Sequence, residues 1–373
     1  MSPLRSQLLT ARKNFNPGLP SEGFKGQWTH PSDVFAVLLL LGGDVVSRAI
    51  AQLAGGRITP VAFSFGWVSY AITALLAGVG ENKLMPQADC ACKVINGRNG
   101  YVRDNTSWVI GRLVRDFEKW QDEKVKSCLK GVLDAKAADL KKQGIMERPR
   151  NAGLVVSIYH ANRPLGIAAI PCGIYGDWGI LMITACGIGL AFATGGLKQW
   201  RVEKWACRLI ERVKPGNEKT VVLTRGNGSQ HAIVIVGSNG CLDLEDLSMG
   251  ASNADFTTSW ETRSALFVLA ILWVLLLITT SGIKKNTWFL LAVGSIGMVQ
   301  NIVVAGSPRD PAAFGMPMTF HQVIGKTKVM ETLFAVDEKY KGLGRSMREI
   351  FFPGGHLGDW EKTKWDELAK RKE

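Results

Sequence analysis

The sequence predicts a mainly α-helical, polytopic membrane protein with about five to six membrane segments and small cytosolic α and β-hairpin segments. Three observations carry this. The apolar residues of the 373-residue chain are gathered in blocks as long as a hydrocarbon core is thick, although mean hydropathy is only +0.07. The Lys and Arg residues behind a net charge of +13 lie largely between and after those blocks, the pattern that orients a membrane protein. One block, SALFVLAILWVLLLITT from Ser264 to Thr280, carries no charge.

The elements follow in order. Residues 1–33 are read as a cytosolic leader with Arg5, Arg12, Lys13 and Lys25 and no signal-peptide pattern, so the first membrane helix has to target the chain. Residues 34–80 are read as the first membrane hairpin. Val34–Ala54, VFAVLLLLGGDVVSRAIAQLA, leads into Pro60–Val79 through a turn at Gly55, Gly56 and Arg57 short enough to make the two helices neighbours. Residues 81–163 are read as a cytosolic helical segment. There Trp108, Val109, Leu113, Phe117 and Trp120 recur at helical spacing, and interleaved acidic residues favour packing in a small domain over lying among lipid headgroups.

Residues 164–197 are Gly-rich and broken by Pro171, Gly173, Gly176 and Asp177, leaving a full span over Trp178–Thr194 preceded by either a re-entrant stretch or a second crossing. Residues 198–262 open with Lys198, Arg201 and Lys204 and continue as a β-rich cytosolic segment. Its apolar runs, Val221–Leu223 and Ala232–Val236, sit beside turns at Asn227-Gly228 and Asn239-Gly240. Residues 263–306 are the last membrane hairpin, Ser264–Thr280 and Thr287–Ala305, and residues 307–373 are a cytosolic tail with an amphipathic helix over Val323–Tyr340. Lys93, Arg98, Arg103, Lys198, Arg201 and Lys204 place both middle segments in the cytosol, against Lys284 and Lys285 in the outer turn.

The sharpest polar constellation is Asp44, Arg48 and Gln52, spaced four apart on the first membrane helix and read as one face. Such residues mark a functional site facing the bundle interior, or a structural pair that neutralises itself while Arg48 reaches a headgroup. Ser64, Ser69 and Thr73, with Gln300 and Asn301, would complete a polar core, and Gly294, Ser295 and Gly297 allow close helix approach. Arg225–His231, RGNGSQH, lacks the Lys and spacing of a P-loop and reads as a hairpin turn. His231, Cys241, Asp243 and Asp246 bring catalytic residue types into one short region without a defined geometry.

Other classes are excluded or disfavoured by the same residues. The seven cysteines, Cys90, Cys92, Cys128, Cys172, Cys186, Cys207 and Cys241, show no disulfide-framework spacing. Cys90 and Cys92 would give half a zinc site, and His30, His160, His321 and His356 are scattered, so no metal is expected. No cofactor motif is present, and the mixed charges of residues 110–150 argue against a nucleic-acid partner. Asn105-Thr-Ser107 and Asn227-Gly-Ser229 match the glycosylation pattern but fall in segments assigned to the cytosol, so both are expected to stay unmodified.

The stretches GRITPVAFSFGWVSYAITALL, KVINGRNGYVRDNTSWVIGRLVRDFE, IAAIPCGIYGDWGI and VVLTRGNGSQHAIVI, with FHQVIGKTKVMETLF and IFFPGG in the tail, form a recognisable set. As a set they resemble an uncharacterised multi-span membrane-protein family of filamentous ascomycete fungi. The resemblance runs from around Pro31 into the tail and implies a fungal multi-span membrane protein, with no catalytic or binding residue to carry over. The chain departs from that family in a shorter apolar lead before IAAIPCG, which bears on its third crossing.

The bilayer is the partner this reading implies, with a homo-oligomer as a way to supply missing helices. The function that fits this topology is a non-enzymatic membrane protein, transporter-like or scaffold; the missing P-loop argues against an ATP-driven pump, and too few helices without an inverted repeat argue against a large secondary transporter. The alternative is a membrane-embedded enzyme or accessory factor acting on a lipophilic metabolite at Asp44 and Arg48.

Overall fold

The computed structural model describes residues 34–55, 59–81, 83–143, 149, 153–161, 178–210, 218–238, 240–250, 257–281 and 287–370. Short runs of β-branched residues from all three polar stretches pair into one sheet. Its strands are β1 (Lys93–Asn96), β2 (Val102–Asp104), β3 (Val155–Ala161), β4 (Lys219–Thr224), β5 (His231–Gly237) and β6 (Met318–Gly325), in the order β2-β1-β4-β5-β3-β6. Neighbours are antiparallel except β3 and β5, which run parallel with Val155 beside His231 and Ala161 beside Gly237.

The helices are α1 (Val34–Leu53), α2 (Gly66–Val79), α3 (Trp108–Arg115), α4 (Phe117–Trp120), α5 (Glu123–Lys142), α6 (Trp178–Gly195) and α7 (Lys198–Lys204). They continue with α8 (Leu244–Met249), α9 (Trp260–Ser281), α10 (Thr287–Gly306), α11 (Val329–Lys339), α12 (Leu343–Phe351) and α13 (Asp359–Lys370).

The central strands are apolar on both faces, as strands covered on both sides have to be. On one face Val156, Ile158, Val222 and Val234 pack with Leu333 and Phe334 of α11, Met347 of α12 and Trp365 of α13. On the other face Val155, Tyr159, Val221, Leu223, Ile233 and Ile235 join a core that runs through Trp108, Val109 and Leu113 of α3 into the apolar helices. The predicted amphipathic residues Trp108, Val109, Leu113 and Phe117 are thus buried in a folded domain.

The expected set of five to six membrane segments is corrected by this arrangement: the fold is mixed α/β. Among the described residues two helices are long and apolar enough to cross a membrane, Trp260–Thr280 and Trp288–Gly306, while Gly66–Val79 and Met182–Gly195 are shorter apolar helices. The expected β-hairpin segment is part of a six-stranded sheet whose strands are drawn from distant parts of the chain. The amphipathic helix expected over Val323–Tyr340 is instead the end of β6 followed by α11. The stretch preceding Trp178, where a re-entrant segment or extra crossing was expected, lies outside the described residues.

The expected span Pro60–Val79 also divides, since residues 60–65 are non-helical and only Gly66–Val79 is helix. A 14-residue helix rises only ~21 Å, short of a hydrocarbon core of about 30 Å. The non-helical stretch enters beside the end of α6, where Thr59 Oγ1 donates to the Gly195 carbonyl at 2.8 Å. It then runs inward between helices, with Val61, Phe63, Ser64 and Phe65 buried. Asn301 Nδ2 of α10 donates to the Ala62 carbonyl at 3.0 Å and to Ser64 Oγ at 3.3 Å, and Trp67 Nε1 donates to the same Ala62 carbonyl at 2.9 Å. The Phe63 and Trp67 rings stack on Trp273 of α9 at 6.2 and 5.5 Å. Glycines make the room: a Cβ on Gly187 or Gly294 would overlap the Phe63 or Phe65 ring, and one on Gly297 the Phe63 carbonyl oxygen. From Gly66, whose Cα lies against Gly42 of α1, α2 returns to the side where the stretch entered, and there Thr258 Oγ1 donates to the Gly78 carbonyl at 2.8 Å.

Candidate functional site

The richest polar arrangement lies where the apolar helices meet the sheet domain. Here α1, α6 and α10 all arrive by their C-terminal ends, each bringing unpaired carbonyls and about half a negative charge of helix dipole. The chain answers with buried cations. Lys204, at the end of α7 and 3% exposed, donates from Nζ to the carbonyls of Ala51 at 2.8 Å, Gln52 at 3.1 Å and Ala54 at 2.5 Å. Its ammonium also lies 5.8, 5.8 and 5.6 Å from the ring centres of Trp108, Trp205 and Phe314, within cation–π range. Complete burial pushes the Lys204 amine down to about 7, and the positive charge of Arg309 nearby acts in the same direction.

Arg112 closes the end of α10 in the same manner. Only 1% exposed, it donates to the carbonyls of Ala305 at 2.9 Å and Ser307 at 2.7 Å, and it pairs with Asp89 at 3.3 Å and Asp116 at 3.4 Å. Arg115 bridges the same two carboxylates at 2.8 and 2.9 Å and reaches the Gly306 carbonyl at 3.2 Å. Arg309 ties the two helix ends together: its side chain donates to the Gln52 carbonyl at 3.3 Å and its backbone N–H to Asp116 at 3.2 Å. Gln52 itself donates to the Ser307 carbonyl at 3.3 Å. Glu203 fastens the chain after α2, accepting from the N–H groups of Leu84 and Met85 at 2.6–2.9 Å. Burial raises the Glu203 carboxyl, while the N–H of Met85, the Gln199 side chain and the N–H of Leu84 pull it back. The result is a rigid coupling between helix ends and sheet domain, since each buried charge here is held by several partners.

Beside this junction an open polar recess of about 310 Å³ is lined by Gly55, Thr59, Gly195, Lys198, Trp200 and Arg201. A second cleft, bordered by Cys241, Lys219 and Met316, holds only about 20 Å³, room for roughly one water.

The residues singled out from the sequence part company. Asp44 and Arg48 are exposed on α1, whereas Gln52 is 1% exposed in the junction. Eight residues along a helix turn the face by about 80°, which separates the first of the three from the last. Asn301 is buried on the non-helical stretch and Gln300 is exposed. Ser64 is buried with Asn301, Thr73 is exposed, and the Ser69 carbonyl accepts from Thr73 Oγ1 at 3.3 Å. Asn105 is half-buried and accepts from the Ser107 N–H at 3.0 Å, while Asn227 is exposed in the β4–β5 turn, where Gly226 and Gly228 take φ of +98° and +85°.

His231 and Cys241 stand at opposite ends of β5, ~20 Å apart at 3.3 Å per residue. They form no nucleophile pair. His231 sits 5.2 Å from the Phe117 ring, Cys241 donates to the Ala161 carbonyl at 3.2 Å, Asp243 caps α8, and Asp246 accepts from the Arg208 N–H at 2.9 Å. Among the described residues no group of three or more His, Cys, Asp or Glu side chains could hold a metal ion. In the sequence Lys204 stands out only as an orientation signal, Arg112 only as one of the mixed charges of residues 110–150, and Arg309 not at all. The available signal, for Lys204 and Arg309, is a basic residue shortly after the end of an apolar block. Comparison with protein-family models, with curated proteins and with solved structures finds no match.

Proposed function

We propose that the protein is an integral membrane scaffold, anchored by α9 and α10 and holding its α/β domain in a fixed orientation against one face of the bilayer. The observation that carries this reading is the outward surface of these two helices. Phe267, Val268, Ile271, Leu275 and Ile278 of α9 are 45–60% exposed, as are Phe289, Ile296, Val299 and Val303 of α10 at 58–66%. Water does not support an apolar surface of that extent, whereas hydrocarbon does. All six strands share one sheet, so the polar stretches that supply them lie together at one end of the two helices. The buried cations at the helix ends supply the rigidity that a scaffold needs.

A transporter-like reading draws on the non-helical stretch beside α10, because such backbone at membrane depth either lines a cavity or is buried in protein. Phe63, Phe65 and Trp67 fill the space around it, which favours the scaffold. The experiment is alkaline carbonate extraction of membranes from cells making the full chain, with Ile271→Lys/Leu275→Lys as the variant. The wild-type chain should stay in the pellet, and the double variant should be lost to degradation or the supernatant. Each lysine at mid-helix costs ~2.5–3.5 kcal/mol of insertion. A wild-type chain that washes off quantitatively rules the anchor out.

A further inference from the structure

We propose that the outward stripe of α1 binds a second copy of this chain, Asp44 of each copy pairing with Arg48 of the other. This rests on the membrane placement proposed above. The depth of Asp44 follows from its neighbours. α1 and α10 run side by side with both C-termini at the cationic junction, and a Cβ on Gly42 would approach Met298 Cε to 2.6 Å. Asp44 lies nine residues before Leu53, ~14 Å from the helix end at 1.5 Å per residue. That is the level of the middle of the Trp288–Gly306 span.

At that level α2 and α10 cover the other faces of α1: Gly42, Gly43, Val46, Ala49 and Ile50 are buried, whereas Asp44 and Arg48 are exposed. No salt bridge joins Asp44 to Arg48 or to another of the described residues. Ionisable side chains facing hydrocarbon without a partner are strongly disfavoured, so this stripe calls for a cover.

Charge complementarity identifies the cover. One acid and one base a helical turn apart form a neutral patch that complements itself under two-fold symmetry. In a parallel pair of α1 helices the Arg48 side chain leans toward its own N-terminus, down to the level of Asp44 on the neighbouring copy. Two reciprocal ion pairs result, each shielded from water by the surrounding apolar faces.

The test uses the full-length chain in neutral detergent and in lipid nanodiscs, with mass read by light scattering. Wild-type protein should be a dimer, and D44R and R48D alone should each associate at least about tenfold more weakly, because like charges then meet across the two-fold axis. Differently tagged D44R and R48D chains made in one cell should co-purify, since one carries two arginines and the other two aspartates. A pairing confined within each helix predicts no such rescue. The neutral pair D44N/R48Q, read alongside, covers the case in which a charge reversal fails to fold, and it too should be monomeric. A monomeric wild-type chain, single reversals that dimerise normally, or folded reversals that do not co-purify overturn the proposal. A chain that stays in the membrane yet is monomeric overturns this inference alone. A chain that leaves the membrane in carbonate overturns the anchor as well.

Discussion

Lys204→Met is expected to destabilise the folded chain by ~3 kcal/mol or more, because it strips the shared donor from three carbonyls in a buried place. Methionine keeps the length and apolar stem, so packing changes little. The Gln52 carbonyl retains Arg309 at 3.3 Å, but those of Ala51 and Ala54 are left facing the α1 dipole with no donor from Lys204. Denaturant unfolding in neutral detergent measures the loss, and an unchanged midpoint would mean that water or another side chain satisfies the helix end.

The same residue should show itself in pH dependence. Its amine is held at about 7 in the fold against 10.5 ordinarily, through burial first and Arg309 second. Between those values the unfolded chain carries a proton that the folded chain has shed, so the contribution of Lys204 to stability rises with pH. The slope is at most about 1.4 kcal/mol per pH unit. Below pH 7 both states are protonated, and the full desolvation cost is felt. The wild-type stability should therefore gain on Lys204→Met between pH 7 and pH 10, while groups shared by the two proteins cancel. Parallel profiles would place the titration elsewhere.

These residues show what kind of information the sequence carries openly. The long apolar helices α9 and α10 were readable because an unbroken apolar run needs no distant partner to declare itself. The runs around β4 and β5 were readable because a hairpin is local. Strand β3 was not, since VVSIYHA lies in a polar stretch and its parallel partner β5 comes some seventy residues later. The end of strand β6 reads as part of a helix because Val323 and Ile324 continue in helical register into α11. Gln52 in the candidate junction and Asn301 against the non-helical stretch were visible as polar residues in apolar blocks. Lys204, Arg112 and Arg309 were not, because their partners are backbone carbonyls that every sequence possesses. What selects those carbonyls is the meeting of helix ends, a tertiary event.

The stretch 60–65 is the plainest case, because an apolar sequence long enough to suggest a span is divided by its surroundings. Gly297→Ala should expose the cause. A methyl there meets the Phe63 carbonyl oxygen, part of a backbone pinned by Asn301 and Trp67, so the neighbour has little freedom to retreat. Overpacking of this type costs ~1–3 kcal/mol or more, and displacing the stretch would also release the Phe63 and Phe65 rings from their glycine slots. Gly189→Ala in α6 adds the same methyl to another apolar helix, where nothing lies within 4 Å. There the change should stabilise by up to ~1 kcal/mol through helix propensity. Thermal unfolding of the two variants side by side reads the difference, and limited proteolysis across residues 59–65 should rise only in Gly297→Ala. Because both substitutions have the same intrinsic chemistry, equal behaviour would mean that the non-helical stretch does not run against α10. Opposite signs would assign the glycine of α10 to the backbone it admits rather than to helix packing in general.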